Sequence, residues 1–166
     1  MTALDGFHLE RGEVADRIWS TVSSTATFLA GNPVALSDDG SVIEATSDVT
    51  EIYGIALNDA ADSFAGAWPN QVLVELPLPS SQYRTKVQTG VAASATSVGQ
   101  GYGLEKSGNY LRVDTDSQAT PHVKLMPGPL GTNPVRSDDS SVLVAFLAHS
   151  LGVLPSASSS GPMAQD

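Results

Sequence analysis

From Pro33 onward, short apolar runs alternate with residues that turn the chain. Val34–Leu36 and Val42–Ala45 flank Ser37-Asp38-Asp39-Gly40, where Asp-Gly supplies the positive φ of a tight hairpin. Ile52–Leu57 contains Gly54, whose missing side chain permits a close backbone approach or a bend. Val72–Leu76 is apolar and is stopped by Pro77 and Pro79. Gln82–Gln88 sets Tyr83, Thr85 and Val87 against Gln82, Arg84 and Lys86, the two-residue period of a half-exposed strand. Gly101–Glu105 and Tyr110–Asp114 flank a second hairpin turn at Lys106-Ser107-Gly108-Asn109. Pro121–Met126 follows, then a Pro/Gly loop at 127–134. Val142–Ala148 (VLVAFLA) has no polar alternation, so both of its faces should be covered. Roughly nine or ten short strands with turns this frequent predict an all-β fold. The expected form is a small β-barrel or sandwich of short antiparallel strands. No internal repeat stands out.

The two ends read differently. Residues 1–30 are expected to form an extended N-terminal arm outside the β-barrel domain of residues 31–150. Leu9, Val14 and Ile18 have loosely helical spacing, but Gly12 interrupts it and allows at most one short turn. Ser20–Thr27 is polar and β-branched, extended or loop. Ala60–Trp68 reads as a small-residue connection. Residues 151–166 are Ser-rich and poor in apolar groups, as expected of a C-terminal tail.

Composition narrows the function. A chain of 166 residues can bury roughly 70% of its unfolded surface and needs no external staple. Charged residues make up 16%, below the roughly 25% usual for soluble domains, so Ser, Thr, Asn, Gln and Gly must cover the surface. Such a surface is easily desolvated against another protein. The net charge of −10 leaves no basic footprint for nucleic acid and disfavours anionic membranes. With no cysteine, disulfides and thiolate metal sites are excluded. No apolar run reaches the ~18 residues of a membrane-spanning helix. The charged N-terminus lacks a signal peptide's apolar core, so the chain is expected to be made, and kept or assembled, in the cytosol.

Candidate chemistry is sparse. His8, His122 and His149 have no H-x-x-H or H-E-x-x-H spacing, so no metal or other cofactor is expected. Paired acids at Asp38-Asp39, Asp114/Asp116 and Asp138-Asp139 each sit among turn residues, where aspartate bends and caps the chain. Asp114-Thr115-Asp116 begins like a calcium loop, but Ala119 replaces the required glycine and Leu125 the bidentate glutamate. No G-x-S-x-G occurs. Gly99-Gln100-Gly101-Tyr102-Gly103 lacks the lysine and following helix of a phosphate cradle, and is expected to let a strand curve or approach another backbone. The reading is therefore of a non-enzyme whose surface is its function.

Several stretches carry a resemblance: Gly31-Asn32-Pro33-Val34-Ala35-Leu36, Ile52-Tyr53-Gly54-Ile55-Ala56, Val98–Leu104 with Tyr110–Val113, and Val142–Leu147. Their layout over residues 31–148 resembles the capsid decoration (cement, head-stabilising) proteins of tailed bacteriophages. The resemblance implies a small all-β protein, usually a homotrimer, on the outer surface of the virion. There it would bind the major capsid protein and stabilise the head, with an extended arm clipping neighbouring capsomers.

On this reading the candidate capsid or subunit contacts are Phe7, Ile18, Trp19 and Phe28 of the arm, and Val142, Val144 and Phe146 of the last strand. A competing reading folds the arm aromatics back onto their own barrel. The alternative function is a tail, fibre or baseplate β-domain that recognises a host glycan or another virion protein, with an aromatic-lined site around Trp68 or Tyr102. A third reading, a small hydrolase using converged aspartates, would rest on Asp114 or Asp138.

Overall fold

A computed structural model gives the fold over residues 5–47, 49–61, 70–88, 93–94, 97–128, 134–135 and 140–151. Eleven strands follow in order: β1 (His8–Arg11), β2 (Val14–Thr21), β3 (Pro33–Leu36), β4 (Val42–Glu44), β5 (Gly54–Ala56), β6 (Gln71–Pro77), β7 (Gln82–Lys86), β8 (Gly101–Ser107), β9 (Tyr110–Asp114), β10 (Val123–Leu125) and β11 (Ser141–Phe146). A 3-10 turn, Ala148–Ser150, follows β11. The strands form two antiparallel sheets, ordered β1-β7-β11-β10-β8-β9 and β2-β6-β5-β3-β4. These are layered as a sandwich and do not close into a barrel.

Period-two alternation explains the two cores. Neighbours along a strand point to opposite faces. Ala35 and Ile55 of the five-stranded sheet face inward and meet Tyr83, Leu104, Val144 and Phe146 of the other sheet. Val34, Val42, Val72 and Val74 face the opposite way and are covered by Phe28 and Ala60. β11 lies between β7 and β10, and all six of its residues are buried, as its unbroken apolar run requires. The turn residues also behave as expected. Gly40 has φ 82°, and Gly108 has φ 67° in the two-residue loop between paired Ser107 and Tyr110. Gly54 sits where an added Cβ would lie 2.6 Å from Val74 Cγ1, so the bare backbone is what lets β5 lie against β6.

Residues 8–21 are largely extended, but they do not stand off the domain. β1 pairs with β7 (His8↔Arg84, Leu9↔Tyr83) and β2 pairs with β6 (Ile18↔Val74, Trp19↔Leu73). Together they run as one long antiparallel partner to β6 and β7, an edge strand of each sheet in turn. The helical turn suggested by Leu9, Val14 and Ile18 is absent. Irregular register between Leu9 and Arg11, and again between Val14 and Asp16, resets the side-chain parity and disguises two strands as a helical spacing. Arg84 also departs from its expected half-exposed place: β1 lies beside it and buries it.

The sheets hide a duplication that the residues did not announce. Advancing every strand number by five turns β2-β6-β5-β3-β4 into β7-β11-β10-β8-β9, the six-stranded sheet without β1. Each set also ends in one parallel bridge from just past its first strand to its third, Val22↔Val42 and Val87↔Val113. The registers Trp19↔Leu73 and Arg84↔Leu143 superpose Val72-Leu73-Val74-Glu75-Leu76 on Val142-Leu143-Val144-Ala145-Phe146. The C-terminal tail beyond Leu151, the loop containing Trp68, and Asp138-Asp139 lie outside the described residues.

Candidate functional site

Five of the seven candidate contact residues lie inside the chain. Phe7 packs on Phe146 with ring centroids 5.6 Å apart, and Tyr83 meets the same ring edge-on at 5.6 Å. Val142 and Val144 fill the sandwich core, and Phe28 covers the outer cluster. Their apolar character is spent on the fold, because the segment read as an arm is woven into it. Ile18 and Trp19 are different. They share β2, where Ile18 is half-buried and Trp19 keeps 45% of its surface in solvent. Trp19 and Leu36 are the large exposed hydrophobics among the described residues, both on the five-stranded sheet.

Beside Trp19 on β2, Arg17 begins a charged chain that runs into the core. Its Nε donates to Glu75 Oε2 at 2.9 Å, and Tyr83 OH donates to Glu75 Oε1 at 2.9 Å. Glu75 is buried, so these two donors satisfy a carboxylate that would otherwise be costly inside the sandwich. Burial, followed by the Glu75 charge, pushes the Tyr83 phenol far above its ordinary value and keeps it a donor. In the other sheet, Glu10 of β1 forks onto Arg84, with Arg84 Nε 2.8 Å from Glu10 Oε1, and Arg84 Nη1 reaches Ser141 Oγ at 3.1 Å. Ties also run between the β3–β4 and β8–β9 hairpins. Lys106 Nζ contacts both Glu44 oxygens at 2.8 and 2.7 Å, and Asn32 spans Asn109 O and the Leu111 amide.

An open groove of about 320 Å³ lies between Ala35, Leu36, Ile43, Val49, Thr50, Glu51 and Tyr53, at the small end of ligand-pocket sizes. Tyr102, a candidate glycan-site residue, is buried and lines no surface. Trp68, the other, is outside the described residues.

The two acidic pairs among the described residues behave as turn formers. Asp39 accepts from Ser37 Oγ, from Ser41 Oγ at 2.7 Å and from the Ser41 amide at 3.0 Å; these bonds hold its carboxyl down to about 2. Asp114 Oδ1 accepts from the Asp116 amide at 3.0 Å. No three His, Asp or Glu side chains converge among the described residues. His8 Nε2 donates to Asp5 O at 2.6 Å, and His149 Nε2 donates to Pro121 O at 2.9 Å. His122 is 1% exposed, with Nδ1 2.7 Å from Ser150 Oγ. Burial pushes its imidazole below the ordinary value; the Val49 backbone opposes the shift and His149 adds to it. The glycine run works through close packing: a Cβ on Gly101 would lie 3.2 Å from Pro121 Cβ.

No helix among the described residues is long and apolar enough to cross a membrane. The signal that sequence reading missed was Arg84, whose buried pairing needs a β1 that alternation did not reveal. Compared with known proteins, the chain matches no protein-family model and no curated protein sequence.

Proposed function

We propose that this chain is a structural virion protein that binds the outer surface of a phage capsid and stabilises the head as a cement or decoration protein. The observation that carries this reading is the placement of Trp19 and Leu36, large apolar side chains exposed on edge-proximal strands of a sheet whose inward positions are filled by the chain itself. Tryptophan is a favoured interface anchor because it buries much area at little rotamer cost. The stretches that resemble decoration proteins supply β3, which carries Leu36, and β5, β8, β9 and β11, whereas Trp19 lies on β2 outside them.

The low content of charged residues suits repeated contact with another protein. Burial contributes about 25 cal/mol per Å² of apolar area, less the cost of association. Contacts that are weak singly become strong when many are arrayed on one shell. The test is to mix purified protein with undecorated phage heads and image them. Density at regular lattice points, lost when Trp19 and Leu36 are both changed to Ser in a variant of unchanged circular dichroism, is the expected result. Bare heads at saturating protein would overturn the proposal.

A further inference from the structure

The open groove beside Leu36 has walls that are fixed before anything enters it. Ala35 of β3 faces Ile43 of β4 across their hairpin, and a side chain as small as alanine leaves room between them and the 49–53 segment. That segment is pinned twice: the Tyr53 amide donates to Val34 O at 2.8 Å, and the Ile52 amide to Ser150 O at 2.6 Å. A 2.9 Å bond between the Tyr53 and Ser20 hydroxyls holds the aromatic wall. Leu36 is 40% exposed at the rim, and Ile43, Val49 and Tyr53 are half-buried. A cleft so prepared loses little entropy when it is filled.

The charge around it has one sign. Glu51 lines the groove and is exposed, and among the described residues no lysine or arginine lines it. Asp38, two residues past Leu36, lies within about 7 Å of it along the chain, and Asp39 follows; both are exposed. This selects among occupants. A second copy carries the same net charge of −10, and four of its eight basic residues, Arg17, Arg84, Lys106 and Arg112, are engaged by carboxylates of their own chain. The chain's own residues 152–166 contain no lysine or arginine. Neither complements an acidic rim.

We infer that the groove seats a short extended segment of a partner protein. One apolar side chain of that segment enters between Leu36, Ile43, Val49 and Tyr53, and a neighbouring lysine or arginine meets Glu51 and the Asp38–Asp39 turn. Apolar burial supplies most of the attraction, while the exposed charges select the partner and speed its arrival. Because Leu36 belongs to the capsid contact proposed above, placing the segment on the head's outer surface rests on that reading. The groove's preference for a basic neighbour is measurable separately.

Two capped peptides, Ser-Lys-Leu-Leu-Lys-Ser and Ser-Glu-Leu-Leu-Glu-Ser, are titrated to millimolar concentration into the isotope-labelled full chain. The expected result is saturable movement of the Leu36, Val49 and Glu51 amide signals. Binding should be about tenfold tighter for the lysine peptide at low salt, the two peptides converging as salt is raised. Glu51→Lys should remove most of that preference, and Leu36→Ser should weaken both peptides. Heads that stay bare while the lysine peptide binds at the groove would remove the capsid reading and support the groove's partner chemistry. Decorated heads with no peptide response, or equal binding of the two peptides at low salt, overturn the inference. So do groove signals that move with protein concentration alone, which assign the groove to a second copy. Signals that move on Leu154→Asp with no peptide present also overturn it, and assign the groove to the chain's own C-terminal residues.

Discussion

Acidification through the histidine range should destabilise this protein, and His122 should be the reason. The ring is buried where the start of β10, the 3-10 turn and the Val49 backbone meet, and Ser150 ties it to that turn. Its folded-state affinity for a proton is lower than its unfolded one. Above about pH 6.5 both states hold a neutral imidazole, and stability is independent of this group. Below that value the unfolded chain binds the proton first, so stability falls by up to about 1.4 kcal/mol per pH unit until the folded ring also protonates. For a domain with a typical stability of about 5–15 kcal/mol, one such unit is a measurable fraction. Urea titrations at half-unit steps from pH 7.5 to 5, in the wild type and in His122→Gln, isolate the effect. Gln can still bond Ser150, so the variant should lose some packing and most of the slope. A flat wild-type profile, or an equal slope in the variant, would refute the assignment.

Two further outcomes follow from the packing. Gly54→Ala should cost about 1–3 kcal/mol, because its Cβ meets the Val74 side chain and the Glu75 carbonyl, and the backbone there has no flexible tip to move; a shift in the urea midpoint at unchanged m checks it. Phe146→Ala should cost about 3–5 kcal/mol, since that ring holds both Phe7 and Tyr83; a loss under 1 kcal/mol would mean that the core collapses into the space.

The strands from β3 onward were legible because Gly, Pro, Asp and Asn mark their ends and their alternation is clean. The unbroken run at Val142–Ala148 also announced a strand covered on both faces. β1 and β2 were not legible: two bulges break the parity of a segment whose outer face is charged. Arg84 looked solvated because its cover is supplied by Glu10, which lies far away in sequence and is itself on an unrecognised strand. The duplication escaped notice because the halves share only buried apolar positions such as Val72/Val142 and Val74/Val144, which serve different clusters, while loops and exposed residues differ. Of the candidate contacts, burial separated Trp19 and Ile18 from five core residues, and burial is a property of tertiary neighbours rather than of residue type.

The long pairing of β1 and β2 with β6 and β7 has a temporal consequence. Emerging from a ribosome, the first two strands have no partner until β3, β4 and β5 have already been made. Closing so large a loop before any ladder forms places this step among the slow, non-local events of β-protein folding, on a scale of milliseconds to seconds. Until then Phe28 belongs to a chain with nowhere to bury it. Because the same long strand then joins both sheets, neither half can complete its folding alone. A chaperone acting on the nascent protein would therefore find its natural substrate in the N-terminal thirty residues, and release would coincide with the arrival of β7.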